Sequence, residues 1–249
     1  MSLPSIAFDY ATAPKPLGYR ANMGAIVLQT DETLEQDMRR LIPLEGVALY
    51  VSRIAFPQIV TNETLAGMKA LMTASAQLLP PQVRYDSVGY GCTSATCVIG
   101  HDAVAEQVEA GCQAANVVTP LSGLLDACQA LDVKRLAIVS PYVPEVNDSL
   151  RTAITNGGVE VVAEACFFEG DDAKVAQLDP AVVEKAAVAV DAMADCDAVF
   201  ISCTNVRTLE IIPQLRQRLN KPVLSSNLCL IWRMMQLAGL SNNLLEGEF

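Results

Sequence analysis

Residues 88–94 read Val-Gly-Tyr-Gly-Cys-Thr-Ser and residues 199–205 read Val-Phe-Ile-Ser-Cys-Thr-Asn, so an apolar run ends twice in a cysteine followed by polar residues. A second motif also occurs twice, as Ala-Ile-Val-Leu at residues 25–28 and as Ala-Ile-Val-Ser at residues 137–140. The first pair is separated by 111 residues and the second by 112. Two independent pairs of segments with almost the same spacing indicate that the chain arose by duplication.

Around these motifs, short β-rich runs alternate with helical patterns, which is typical of parallel βαβ units. The predicted strands cover residues 24–28, 47–52, 87–91, 116–119, 135–139, 159–163, 198–202 and 222–225. The predicted helices cover residues 34–41, 62–79, 102–110, 121–131, 145–156, 180–194, 213–219 and 228–237.

The duplication divides these elements into two equal sets, which predicts an α/β fold of two similar lobes, each a four-stranded parallel sheet flanked by helices. We predict an N-terminal lobe of residues 1–120 plus 222–249, with the C-terminal helix packing back on it, and a C-terminal lobe of residues 121–221. Open α/β sheets bind ligands outside the C-terminal ends of their strands, so a cleft between the lobes is the predicted site.

The composition of the chain argues against several classes of protein. The chain has 249 residues and a net charge of −11, which disfavours binding to nucleic acid or to anionic lipid. No apolar run reaches the roughly 18 to 20 residues of a membrane span, and the eight cysteines follow no export signal. We therefore expect a soluble, cytoplasmic homo-oligomer with free thiols, no membrane contact and a small-molecule partner.

The two repeated cysteines, Cys92 and Cys203, are the candidate catalytic residues. Each follows a buried strand and precedes a helix, so unpaired backbone N–H groups are expected to favour thiolate over thiol. Moving a proton across the plane of a carbon next to a carboxylate needs an acid and a base on opposite faces, and two thiols can supply both. The alternative is that each cysteine only packs against a neighbouring strand. Further donors for a substrate are predicted to be Thr93, Ser94, Thr204 and Asn205.

Other chemistries have weaker support. Cys97 could pair with Cys92 in a metal or redox site, but the sequence has no second such cysteine pair and only one histidine. The glycines at 89 and 91 resemble a dinucleotide fingerprint, but they follow the third strand and lack the third glycine. His101 is the only histidine and stands at a predicted helix start. We expect no metal and no organic cofactor.

These motifs resemble the aspartate/glutamate racemase superfamily, in the branch of maleate cis-trans isomerases and arylmalonate decarboxylases. The resemblance runs from residue 24 to residue 227 and is most specific at residues 91–94, 140–142 and 202–205. Residues 27–33 together with residues 89–94 look most similar to the ectoine-utilisation proteins of this branch. The resemblance implies two Rossmann-like lobes related by a pseudo-two-fold axis, each contributing one cysteine, with no cofactor.

The resemblance also implies a reaction class. Arylmalonate decarboxylases keep only the second cysteine, whereas this chain has both, so it looks more like a racemase or isomerase of a small carboxylate. In maleate isomerases the first cysteine adds covalently to the substrate double bond, and a tyrosine at the position of Tyr142 helps to hold a carboxylate. Covalent isomerisation through Cys92 and decarboxylation through Cys203 stay open as alternatives, as does a two-lobed binding protein without catalysis.

Two positions depart from the maleate isomerase pattern. Where those enzymes have substrate-binding asparagines, this chain has Asp31 and, less securely aligned, Asp172. An ionised aspartate only accepts hydrogen bonds and repels a carboxylate. The change predicts a substrate with an ammonium or N–H group at one end. The alternative for Asp31 is a helix N-cap.

Overall fold

The computed structural model describes residues 15–57 and 59–247, together with residues 3, 5–9, 11 and 12. The strands are β1 Ala21–Leu28, β2 Val47–Ile54, β3 Arg84–Tyr85, β4 Ser87–Gly91, β5 Gln113–Ala114, β6 Val117–Val118, β7 Arg135–Ser140, β8 Glu160–Cys166, β9 Ala198–Ile201 and β10 Val223–Ser225. The helices are α1 Leu34–Leu41, α2 Asn62–Gly67, α3 Lys69–Ala76, α4 Thr93–Ile99, α5 His101–Glu109, α6 Pro120–Ala130, α7 Pro144–Asn156, α8 Asp172–Val175, α9 Pro180–Asp191, α10 Ile212–Leu219 and α11 Ser226–Leu237.

The main strands form two parallel sheets with the same topology. The first sheet has the order β2-β1-β4-β6 and the second the order β10-β9-β7-β8. Counted by position within its own half, each sheet therefore has the strand order 2-1-3-4. The predicted α/β fold of two similar four-stranded parallel lobes is confirmed, and the shared order is the one that a duplication requires.

The strands that lead to the cysteines are the most deeply buried part of each sheet. Every residue of β4 and of β9 is buried, because helices cover both faces of these inner strands. Gly91 ends β4 where a Cβ atom would lie 2.3 Å from Cδ2 of Leu34, so glycine lets helix α1 pack closely against the strand end. This packing brings the start of α1 next to Cys92.

The structure differs from the sequence prediction directly after Cys92. Residues 93–99 form helix α4, whereas a loop was predicted up to residue 101. The helix escaped prediction because its first turn, Thr93 to Thr96, is buried all round and has no amphipathic pattern. Residues 62–79, predicted as one helix, form α2 and α3, which meet at Gly67 and Met68. The short parallel pair β3–β5 was also not predicted.

The C-terminal segment connects the two halves. Strand β10 pairs with β9 in the second sheet, but helix α11 crosses to the first sheet. There Ser87 Oγ donates to the carbonyl oxygen of Met234 at 3.0 Å, and a Cβ on Gly89 would lie 2.5 Å from Sδ of Met234. The lobe boundaries stay a proposal that assigns residues 222–249 to the first lobe, although β10 itself pairs within the second sheet. None of the described helices is long and apolar enough to cross a membrane.

Candidate active site

Both repeated cysteines line one buried cavity between the C-terminal ends of the two sheets. The cavity is narrow, with a volume of about 10 Å³, and all of its wall residues except Glu169 are buried. The wall residues come from both halves of the chain. They are Leu28, Phe56, Val60, Cys92, Thr93, Ser94, Tyr142, Glu169, Asp172, Val175, Cys203 and Thr204.

The first cysteine segment, residues 91–94, turns directly into helix α4. Cys92 is 2% exposed, and its backbone is extended, with φ −147° and ψ 110°. Its sulfur accepts the backbone N–H of Ala95 at 3.4 Å and lies 3.6 Å from the hydroxyl oxygen of Ser94. Cys92 is therefore the N-cap residue of α4, and the helix holds its sulfur in place.

The second cysteine segment, residues 202–205, is built differently. Cys203 is 8% exposed and has φ +89°, a left-handed conformation that a residue with a Cβ atom rarely adopts. Its backbone N–H donates to Oγ of Ser226 at 3.0 Å. No helix follows directly, since α10 begins only at Ile212. The prediction that both cysteines follow equivalent strand ends is confirmed. The predicted helix 213–219 is present as α10, but after Cys92 the unpredicted helix α4 begins at Thr93.

Burial controls the charge of both thiols. Burial raises the pKa of Cys92 to about 12, although the Ala95 N–H and the Ser94 hydroxyl act in the opposite direction. Burial, followed by the nearby carboxylate of Asp172, raises the pKa of Cys203 well above its ordinary value. The prediction that this setting favours thiolate is therefore wrong, because burial outweighs the local hydrogen-bond donors.

Asp172 lies in the cavity wall beside both thiols. Its Oδ2 accepts the Thr30 hydroxyl at 2.5 Å and the Asn205 side-chain N–H at 3.1 Å. Burial raises the pKa of Asp172, and these two hydrogen bonds oppose the rise. The side chain is thus fixed between the two halves of the chain, with a carboxylate at the cavity.

Asp31 makes the contacts of a helix cap, while its predicted role in substrate binding stays a prediction. Its Oδ1 accepts the backbone N–H groups of Thr33 and Leu34, both at 2.8 Å, so it caps the start of α1. Its Oδ2 is buried and has no hydrogen-bond partner among the described residues. Burial raises the pKa of Asp31, and the hydrogen bond from the Leu34 N–H opposes the rise. Asp31 lies behind the described cavity wall rather than in it.

Of the other predicted binding residues, Thr93, Ser94, Thr204 and Tyr142 line the cavity and Asn205 does not. The Asn205 side chain accepts the N–H of Glu32 at 2.9 Å and donates to Asp172. Its hydrogen-bonding groups are thus engaged in joining the two lobes. The Ser202 hydroxyl donates to Oη of Tyr142 at 3.3 Å, and burial raises the pKa of Tyr142 far above its ordinary value. Tyr142 therefore stays protonated and keeps its own proton to donate.

Comparison with known proteins identifies the family of this two-cysteine cavity. A sequence profile of arylmalonate decarboxylases matches residues 115–247, which is more than half of the chain. The chain belongs to the arylmalonate decarboxylase family. The predicted branch is thereby confirmed, while the finer likeness to ectoine-utilisation proteins stays a prediction.

Relatives within this branch differ in their reactions. The chain is 26% identical over 228 residues to a maleate isomerase of Pseudomonas putida, covering 86% of this chain and 90% of the relative. It is 31% identical over 123 residues to the arylmalonate decarboxylase of Bordetella bronchiseptica, covering 49% and 51%. The crystal structure of the maleate isomerase of Pseudomonas putida S16 superposes with a TM-score of 0.80 at 25% identity, covering 92% and 99%. This member of the arylmalonate decarboxylase family is therefore an enzyme, and the alternative of a binding protein without catalysis is set aside.

The family likeness leaves several site residues of this chain unpredicted. Phe56 and Val60 close the cavity from the first lobe, while Glu169 and Val175 close it from the second. The backbone of Val60 donates to the carbonyl of Gly170 at 3.1 Å, so the two closing segments are tied together. None of these positions carries a sequence signal, because they meet only when the lobes pack.

Other candidate features lie away from this cavity. A more open groove, with a volume of about 610 Å³, borders Cys97 and Glu145 but neither repeated cysteine. Cys97 belongs to helix α4 rather than to a loop. His101 begins helix α5 as predicted, and its Nδ1 lies 3.4 Å from the Thr119 hydroxyl. Among the described residues, no group of three or more His, Cys, Asp and Glu side chains is placed to hold a metal ion.

Proposed function

We propose that the enzyme racemises or isomerises a small amino- or acylamino-carboxylate by proton transfer through Cys92 and Cys203. The observation that carries the proposal is that two thiols, one from each lobe, line the same buried cavity. Inversion at a carbon needs one proton removed from one face and another delivered to the opposite face. Thiols that enter from different lobes are suited to that task.

The proton and electron balance needs no redox partner. The thiolate of one cysteine takes the proton from the carbon next to the substrate carboxylate, and the C–H electron pair moves into the carboxylate to form an enediolate. The thiol of the other cysteine then delivers its proton to the opposite face, and that electron pair forms the new C–H bond. The two sulfurs exchange protonation states, and either proton exchange with solvent or turnover of the opposite enantiomer restores them.

The charges around the cavity favour a substrate with an N–H or ammonium group. Glu169 and Asp172 line the cavity, Asp31 lies just behind it, and no Lys, Arg or His is among the described wall residues. A second carboxylate on the substrate would face these acids with no cation to balance it. An ammonium group would instead offset the negative field that helps to raise the pKa of both thiols.

The carboxylate end of the substrate needs donors, and two hydroxyls are suited to supply them. Tyr142 keeps a proton after accepting from Ser202. The Ser94 hydroxyl lies beside the Cys92 sulfur. Thr93 already donates its hydroxyl proton to Oγ of Ser226 at 2.8 Å. Thr204 donates its hydroxyl proton to the carbonyl oxygen of Gly91 at 3.2 Å. We therefore assign binding of the substrate carboxylate to Tyr142 and Ser94. The hydroxyls of the two threonines instead stabilise the segments that follow the cysteines.

Solvent-deuterium exchange tests this proposal directly. Single enantiomers of small amino- and acylamino-carboxylates are incubated with the enzyme in D₂O, and NMR with chiral chromatography follows the carbon next to the carboxylate. The expected result is inversion accompanied by carbon-bound deuterium. The control is the double variant Cys92→Ala/Cys203→Ala. Absence of exchange across the panel, together with turnover of an unsaturated diacid, would reject the proposal.

A second candidate is cis-trans isomerisation of a small unsaturated dicarboxylate. It is favoured by the maleate isomerase of Pseudomonas putida, which aligns with 86% of this chain. In that reaction the Cys92 thiolate would add to one alkene carbon, the resulting single bond would rotate, and elimination would release the thiolate and the trans alkene. An adduct on the Cys92 peptide, seen by mass spectrometry without obligatory deuterium uptake, would distinguish it.

A further inference from the structure

Helix α11 begins at the junction of the two lobes, and its first residue touches both cysteine segments. Ser226 is fully buried. Its Oγ accepts the hydroxyl proton of Thr93, the residue after Cys92, at 2.8 Å. The same oxygen accepts the backbone N–H of Cys203 at 3.0 Å. One side-chain atom thus joins the two segments that present the reacting sulfurs.

The contact to Cys203 stabilises an unfavourable backbone. Cys203 has φ +89°, and such a conformation costs an L-residue of order 1 to 2 kcal/mol unless its surroundings fix it. A buried N–H without a partner would add a further penalty. The Ser226 hydroxyl satisfies this N–H, so it fixes the direction in which Cys203 leaves strand β9.

The next residue strengthens the same connection. Nδ2 of Asn227 donates to the carbonyl of Thr204 at 2.9 Å and to Oδ2 of Asp37 at 2.7 Å. The second cysteine segment is therefore held from α11 at two consecutive backbone positions. Among the described residues, the side-chain hydrogen bond between α11 and the first segment joins Ser226 to Thr93.

We infer that Ser226 is a positioning residue that sets the relative placement of Cys92 and Cys203. This inference rests on the proposed two-thiol function, in which proton transfer between opposite faces requires both sulfurs at fixed positions. Ser226 itself does not line the cavity among the described residues, so it acts through Thr93 and Cys203 and not on the substrate.

The test uses Ser226→Ala with Ser225→Ala as its matched control. Ser225 is the neighbouring buried serine, and its hydroxyl caps α11 by accepting the Leu228 N–H at 3.2 Å. Among the described residues, this hydroxyl makes no hydrogen bond to either cysteine segment. Both variants remove one buried hydroxyl from the same helix start. Urea unfolding measures how far each one lowers the overall stability.

Alkylation by iodoacetamide, followed for each cysteine by peptide mass spectrometry from pH 6 to 10, needs no substrate. Loss of the shared anchor should let both segments move, so Ser226→Ala should speed alkylation of Cys92 and Cys203 by about tenfold. Ser225→Ala should change either rate by less than about twofold. Equal changes in the two variants would overturn the inference, because they would reflect stability alone.

Kinetics on a turned-over substrate provide the second measurement. Ser226→Ala should lower kcat by about tenfold with KM nearly unchanged, since sulfur placement and not binding is disturbed. Thr93→Val removes the hydroxyl that donates to Oγ of Ser226. Because both variants break the same hydrogen bond, their effects on kcat should not add. Additive effects, or a loss confined to KM, would contradict the inference. If no substrate is turned over, the proposed function fails while the alkylation result still decides the role of Ser226.

Discussion

The two cysteine segments follow equivalent strands, yet the chain secures them by different means. Cys92 has an ordinary extended backbone, and its sulfur caps the helix that begins at the next residue. Cys203 has a left-handed backbone and is held by a hydroxyl from the distant helix α11. The first segment is thus fixed by local structure, and the second by tertiary contacts.

This difference separates what a duplication preserves from what it leaves free to change. The strand order and the cysteine position are the same in both halves. The connection after the cysteine is a helix in one half and an irregular segment in the other. A cavity between two lobes needs strand ends that face each other, whereas the segments that follow those strands can differ between the lobes.

Replacement of the cysteines should give the largest effect. Cys92→Ala and Cys203→Ala should each lower racemisation by about 10²- to 10⁴-fold, because each removes the acid or base on one face. Each variant should still permit deuterium exchange of one enantiomer, measured by NMR in D₂O. Full turnover by Cys92→Ala would instead point to decarboxylation with Cys203 as the only proton donor.

Asp31→Asn should give the next largest effect. If Asp31 binds an N–H or ammonium group, the variant should lose roughly 10- to 150-fold in substrate affinity, corresponding to about 1.5 to 3 kcal/mol. It should also gain affinity for maleate, because repulsion of a second carboxylate is relieved. Calorimetry on a Cys92→Ser background, which prevents turnover, measures both.

The control for Asp31 is Asp179→Asn, which alters another helix cap, at the Ala181 N–H of α9. An asparagine oxygen can still accept the Thr33 and Leu34 N–H groups, so the start of α1 should be unchanged in Asp31→Asn. Unaltered affinity for both ligands would reduce Asp31 to a cap. The preference for an amino-carboxylate over a diacid would then lose its main support.

Asp172→Asn tests whether the charge of Asp172 raises the pKa of the two thiols equally. The negative charge of Asp172 raises the pKa of both, but it is the second cause after burial for Cys203 and a lesser one for Cys92. Its removal should lower both pKa values, so alkylation should quicken at a given alkaline pH, by about three- to tenfold at Cys203 and less at Cys92. Asp171→Asn is the neighbouring control, and a larger effect at Cys92 would contradict this ranking.

Glycine substitution should have the smallest effect, with opposite signs at the two positions. Glycine readily adopts positive φ, so Cys203→Gly should be about 1 kcal/mol more stable than Cys203→Ala. At the extended backbone of Cys92, glycine should instead be about 0.5 to 1 kcal/mol less stable than alanine. Urea unfolding of the four variants provides the comparison. If glycine were less stable than alanine at both positions, the left-handed backbone of Cys203 would carry no strain.

The repeated motifs and the apolar runs were sufficient to predict the fold class, the main strands and the cysteine pair. Sequence periodicity reports these features because a parallel strand buried on both faces reads as a continuous apolar run. The same reasoning missed helix α4, since its buried first turn has no polar face. It also missed Ser226, which lies 23 residues after Cys203 and 133 after Thr93 in the chain.

The sequence by itself therefore determined two similar lobes, each with a cysteine at the end of an inner strand. Only the tertiary structure decided how those cysteines behave. The thiols are buried in the cavity wall, and this desolvation outweighs the local donors that would favour thiolate. Desolvation depends on what packs around a group in space, and the residues that pack around Cys92 and Cys203 come from both lobes.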